Sequence, residues 1–149
     1  MKRLIFPVVA CVVLFSMMGA NKKAMKQFMN LDGKQPPGYT HIVTSPPGKT
    51  IYLSGMGGNA PDGTMPKDFP TQAGNTFRNI GRALRMAGAD FKDIVKINYF
   101  VTDLKNLQEL RSVRARYLNM QAPPAATLVQ AGLVGDLLVE IECVAIVPD

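Results

Sequence analysis

The chain has 149 residues, 47% of them hydrophobic and 19% charged, with 17 lysines and arginines against 11 acids for a formal net charge of +6. That length and apolar content support one domain with its own core and exclude two ordinary domains. The absence of low-complexity tracts and internal repeats excludes a disordered or repeat chain.

Lys2 and Arg3 precede an apolar run from Leu4 to Met18, broken only by Pro7 and Ser16 and followed by the small residues Gly19 and Ala20. Residues 1–20 therefore resemble a bacterial secretory signal, which predicts a periplasmic or secreted protein. Met18 stands where a small residue is preferred if the cut follows Ala20, and Leu4 to Ala20 is just long enough to span a thin bilayer. An uncleaved anchor facing the periplasm is thus the alternative, and the only membrane contact expected. Removing the segment takes Lys2 and Arg3, lowering the basic count from 17 to 15 against 11 acids, an excess of +4. It also takes Cys11, so Cys143 remains alone and reads as a small buried hydrophobe rather than a disulfide partner. With one histidine, His41, and no cluster at ligand spacing, neither a metal nor another cofactor is implied.

Residues 21–35 are polar and lysine-rich without periodicity and read as a tether, leaving a domain over residues 36–149. Tyr39 to Thr44 and Thr50 to Ser54 read as two strands of a hairpin around Ser45-Pro46-Pro47-Gly48-Lys49. Gly55, Gly57 and Gly58 surround Met56 and allow a sharp turn or a close approach to a ligand, without the spacing of a nucleotide fingerprint. Ala73, Phe77, Ile80, Leu84 and Ala87 recur at helical spacing, predicting a helix over residues 71–87 capped by Thr71 and ended by Gly88; Arg78, Arg82 and Arg85 fall on its outer side. Such a row of arginines is more often a solvated face than a nucleic-acid surface, and no nucleic-acid partner is expected. A strand follows at Ile94 to Thr102. A second helix is expected over residues 103–119, with Leu107, Leu110, Val113, Tyr117 and Leu118 inward and Asn106 with Glu109 as a capping pair.

Two last strands are expected, Ala126 to Gln130 and Leu137 to Val147. In the latter, Val139, Ile141, Cys143, Ala145 and Val147 share one face, and Leu138, Glu140, Glu142 and Val144 share the other. Same-face neighbours lie about 6.6 Å apart, so two enclosed carboxylates would not both ionise freely and one could serve as an acid or base. A strand with one solvated face is the plainer reading. The order β-β-α-β-α-β-β predicts an α+β fold, a mixed sheet with two helices packed on one face. The partly apolar opposite face is then covered most economically by another copy of the chain.

Several segments together resemble the RidA family, also called YjgF or L-PSP. They are Gly38-Tyr39, Tyr52-Leu53-Ser54-Gly55, the run from Ala87 to Lys96, Tyr99 to Leu104, and Pro124-Ala125 followed by Val139-Glu140-Ile141-Glu142. The resemblance covers residue 36 to the C-terminus. It implies a chorismate-mutase-like homotrimer with clefts between subunits that bind a small-molecule ligand. In archetypal members these clefts hydrolyse enamines and imines such as 2-aminoacrylate to a keto acid and ammonia. It also implies catalytic roles for Glu140, on the attacking water, and Tyr39, lining the cleft, with Gly55, Met56, Ala126 and Thr127 around the substrate.

The archetypal arginine after Pro-Ala, which grips the substrate carboxylate through two hydrogen bonds, is here alanine: the motif reads Pro123-Pro124-Ala125-Ala126-Thr127. Losing such a contact costs about 2 to 5 kcal/mol, enough to abolish useful turnover. The sequence therefore predicts a metabolite-binding cleft with weak or lost imine deaminase activity; the alternative is an active deaminase with altered substrate preference. Arg114 stands where an asparagine is common; helix geometry predicts that it points outward, with a reach into the cleft as a substitute cation the lesser alternative.

Overall fold

The computed structural model of the protein describes residues 25–149, and the leader expected over residues 1–20 lies outside them. The first long element is helix α1, Phe69–Met86, which buries Phe69, Ala73, Phe77, Ile80 and Leu84 at three- and four-residue intervals and leaves Arg78, Arg82 and Arg85 exposed. Its cap is Asp68, not Thr71: the Asp68 carboxylate accepts from the Thr71 amide at 2.9 Å. Aspartate wins because its side chain satisfies an amide that has no partner inside the helix. The helix stops as expected at Gly88, where φ is +75° and the amides of Gly88 and Ala89 turn back to Arg85 and Leu84.

Four strands form the main sheet, in the order β3 (Gly48–Met56), β6 (Val139–Pro148), β4 (Ile94–Val101) and β5 (Ala125–Gln130). Only β4 and β5 run parallel, which requires a crossover between them; helix α2, Leu107–Arg114, supplies it. The last strand is thus inserted between earlier ones. Its inner residues Val139, Ile141, Cys143 and Ala145 are at most 3% exposed, and they pack with Ile97, Tyr99 and Val101 of β4 beneath both helices. The opposite face is open in the protomer, with Tyr52 79% and Val129 40% exposed. The mixed sheet with helices on one face agrees with the expected fold class.

Three local expectations are corrected. The strands flanking Pro46 and Pro47 do not form a hairpin: β2 (Ile42–Thr44) pairs with β1 (Gln27–Met29), whereas β3 joins the main sheet beside β6. Two consecutive prolines lack amide donors and fix φ, so they do not build the tight two-residue turn that closes a hairpin. β1 also lies inside the stretch read as a tether, where a distant partner rather than any periodicity makes the strand. The second helix is shorter than expected: Leu104–Asn106 forms a separate 3-10 turn with the Asp103 carboxylate on the Lys105 amide, and Asn106 makes no capping bond.

Candidate functional site

Sheet register divides the residues expected at the site between two faces. Opposed residues in a ladder point the same way. Ile97 opposes Ala126 and Tyr99 opposes Leu128, which places Ala126 and Leu128 on the helix side. Phe100 opposes Glu140, and Asn98 opposes both Glu142 and Thr127, which places those residues on the outer side. Within one protomer Glu140 and Ala126 are therefore on opposite faces of the sheet.

On the helix side a cavity of about 220 Å³ opens at the β5 edge, lined by Pro37, Tyr39, Tyr99, Leu107, Arg111, Arg114, Ala126 and Leu128. Tyr39 is brought there by the segment just before β2. Thr40 is buried, its hydroxyl donates to the Pro123 carbonyl at 2.7 Å, its amide donates to Pro124 at 3.2 Å, and it bridges to Ala125. These bonds hold Tyr39 beside the start of β5. The Tyr39 ring meets His41 edge-on at 5.4 Å, and His41 in turn contacts the Asn30 side chain, so the sole histidine props the rim of the pocket.

Arg114 does not point outward. It is only 8% exposed and lines this cavity, with its guanidinium carbon 6.0 Å from the centre of the Tyr99 ring. A side chain at Gly38, where φ is +86°, would collide with that guanidinium, so glycine both permits the turn and makes room for the charge. The sequence carried a signal for this orientation: Arg114 is seven residues after Leu107 and four after Leu110, on the same side of the helix. Tyr99 and Arg111 were likewise missed as lining residues. Burial pushes the Tyr99 phenol pKa well up, against the opposing pull of the Arg114 guanidinium beside its hydroxyl.

On the outer side, Glu140 packs against Gly55, where any side chain would overlap its carboxylate. Beside it lies a groove of about 380 Å³ whose walls include Tyr52, Ser54, Lys96, Asn98 and Glu142. Asn98 donates to Glu142 at 2.8 Å, and Lys96 donates to the Thr127 hydroxyl at 2.7 Å. Met56, past the bulge in β3, opposes Ile141 and packs against the core. The structure thus joins Tyr39 to Ala126, and Glu140 to Gly55; Thr127 is on the Glu140 face, and Met56 belongs to neither group.

A larger cavity, about 660 Å³, lies beside Lys26, Asp90 and Asp93. Of its charged groups, Lys26 donates to the Lys92 carbonyl, and the Asp90 and Asp93 side chains cap the short turn between them. It offers nothing that calls for a ligand.

The family model described as Endoribonuclease L-PSP matches residues 34–147. The chain is 33% identical to a RutC family protein of Synechocystis over 52% of this chain and 60% of that one, so it spans less than two thirds of that relative's length. It is 31% identical to the 2-iminobutanoate/2-iminopropanoate deaminase of Bos taurus, over 66% of this chain and 73% of that one. Among solved structures, RidA of the Antarctic bacterium Psychrobacter superposes with a TM-score of 0.64 at 33% identity, covering 67% of this chain and 82% of that one. A family match running from the segment before Tyr39 through β6, together with these relatives, means that the chain belongs to the Rid family, also called YjgF or L-PSP.

Proposed function

We propose that the protein is exported, assembles as a homotrimer and binds a small metabolite in clefts between subunits, with weak or lost imine deaminase activity. In this reading each cleft joins the β5-edge pocket of one protomer to the outer face of a neighbour. The half-exposed apolar face bearing Tyr52 and Val129 supports an assembly of this kind. The signal-like pattern of residues 1–20 supports export.

The observation that carries the reading is the alanine pair Ala125-Ala126 at the start of β5, which covers the place where archetypal members have the carboxylate-gripping arginine; Ala126 lines the pocket. In the archetypal reaction, water adds to the C=N carbon of a 2-imino acid, and collapse of the adduct releases ammonia and leaves the 2-oxo acid. Rate depends on holding that carbon near the group that manages the water. Without a grip from β5, the substrate is not fixed against Glu140.

A second reading, an active deaminase with altered substrate preference, is favoured by the presence of Arg114 in the same pocket. Ammonia release from 2-iminobutanoate generated in situ separates the two. The first predicts a rate indistinguishable from buffer; a rate well above buffer, lowered by Glu140→Gln with the trimer intact, establishes the second.

A further inference from the structure

We infer that Arg114 is the anion-holding residue of the pocket, and that it binds the carboxylate of a small ligand from α2 in place of the grip that alanine leaves missing on β5. This rests on the proposed metabolite-binding cleft and names the class of ligand it takes.

Buried charges are ordinarily paired, because removing a cation from water costs several kcal/mol unless a counter-charge and hydrogen bonds replace the solvent. Arg114 lacks that compensation. Its Nε is buried with no hydrogen-bond partner, and the ion pairs among the described residues, Lys67–Asp136 and Lys105–Asp103, do not include it. Among the described residues no acid lines the pocket, and the other charged residue there is Arg111, exposed at the mouth. The face of Tyr99, 6.0 Å from the guanidinium carbon, offers partial compensation through its ring electrons but no counter-charge.

The surroundings also suit a carboxylate in particular. The buried Tyr99 hydroxyl has no neighbour to bond other than the Arg114 guanidinium, and with its ionisation pushed to high pH it stays protonated, with its proton free to donate. A guanidinium with free donors beside a phenolic hydroxyl matches the two oxygens of a carboxylate. Gly38 keeps the space that the guanidinium occupies. The cavity, about 220 Å³, fits a ligand of a few carbon atoms and not a polymer. A carboxylate held from α2 approaches from the helix side, so binding persists while the reacting carbon is displaced from its archetypal place relative to Glu140.

The test is calorimetric titration of the assembled protein with 2-oxobutanoate and with its uncharged amide. The oxo acid is expected to bind on the order of 100-fold more tightly than the amide, and Arg114→Met to remove that preference. Arg114→Lys keeps the charge and checks folding; it should retain only part of the preference, since lysine lacks the planar fork. Adding Ala126→Arg to Arg114→Met should restore it. Equal binding of acid and amide, or an Arg114→Met variant that keeps the preference, overturns the role of Arg114 and leaves the cleft reading standing. No binding of either compound, with Arg114 paired to an acid of a neighbouring subunit in a crystal structure of the assembly, overturns both.

Discussion

On the helix side of the sheet, Arg114 is buried with no acid beside it, whereas on the outer side Lys96, Thr127, Asn98 and Glu142 bond to one another along the strands. The outer groups each have a polar partner across the strands, and their face is open in the protomer. No acid among the described residues lines the pocket, and an uncompensated cation in a small cavity is an arrangement that stability alone does not favour. Within one protomer the sheet separates the Arg114 pocket and Ala126 from Glu140.

Neighbouring positions on β6 break this comparison most sharply. Ile141→Ala opens a cavity beneath both helices and should cost about 2 to 5 kcal/mol in chemical denaturation. Glu140→Gln, one residue earlier on the opposite face, should stay within about 0.5 kcal/mol. Similar losses at the two positions would mean that the outer face is itself core. Next in size, Gly38→Ala forces a left-handed turn on a residue with a side chain and displaces the Arg114 guanidinium. It should lower stability by about 1 to 3 kcal/mol and weaken 2-oxobutanoate binding at the same time. Loss of stability with unchanged binding would detach Gly38 from the pocket.

A smaller effect sharpens the inner side. Burial, with a lesser contribution from Glu142, pushes the Cys143 thiol up to about 12 from its ordinary value of 9.0. Between those values the unfolded thiol loses its proton while the folded one keeps it, so folding stability falls as pH rises through that window. Cys143→Ala should flatten that alkaline decline in urea titrations between pH 9 and 10, and an unchanged slope would assign it to other groups, such as Tyr99.

The parts of the fold written in local periodicity were legible: α1 from its Phe77, Ile80 and Leu84 spacing, β6 from its alternation, and Gly88 as a helix end. The hairpin was not, because β3 finds its partner in β6 almost a hundred residues later and β2 finds its partner in β1, and neither pairing leaves a local mark. At the site, Tyr39 and Ala126 were identifiable through family resemblance, and Thr40 explains how the chain brings them together. Arg114 was expected outward from helix geometry, although it follows Leu107 and Leu110 on the apolar side of α2. A cation on an apolar stripe ordinarily reads as surface, and here it is buried and lines a cavity.

The most direct measurement is a crystal structure of the assembled protein with 2-oxobutanoate bound. The account predicts the ligand carboxylate within hydrogen-bond reach of the Arg114 guanidinium, beside Tyr99 and Ala126. A carboxylate bound elsewhere, with Arg114 held by an acid from a neighbouring subunit, would contradict it.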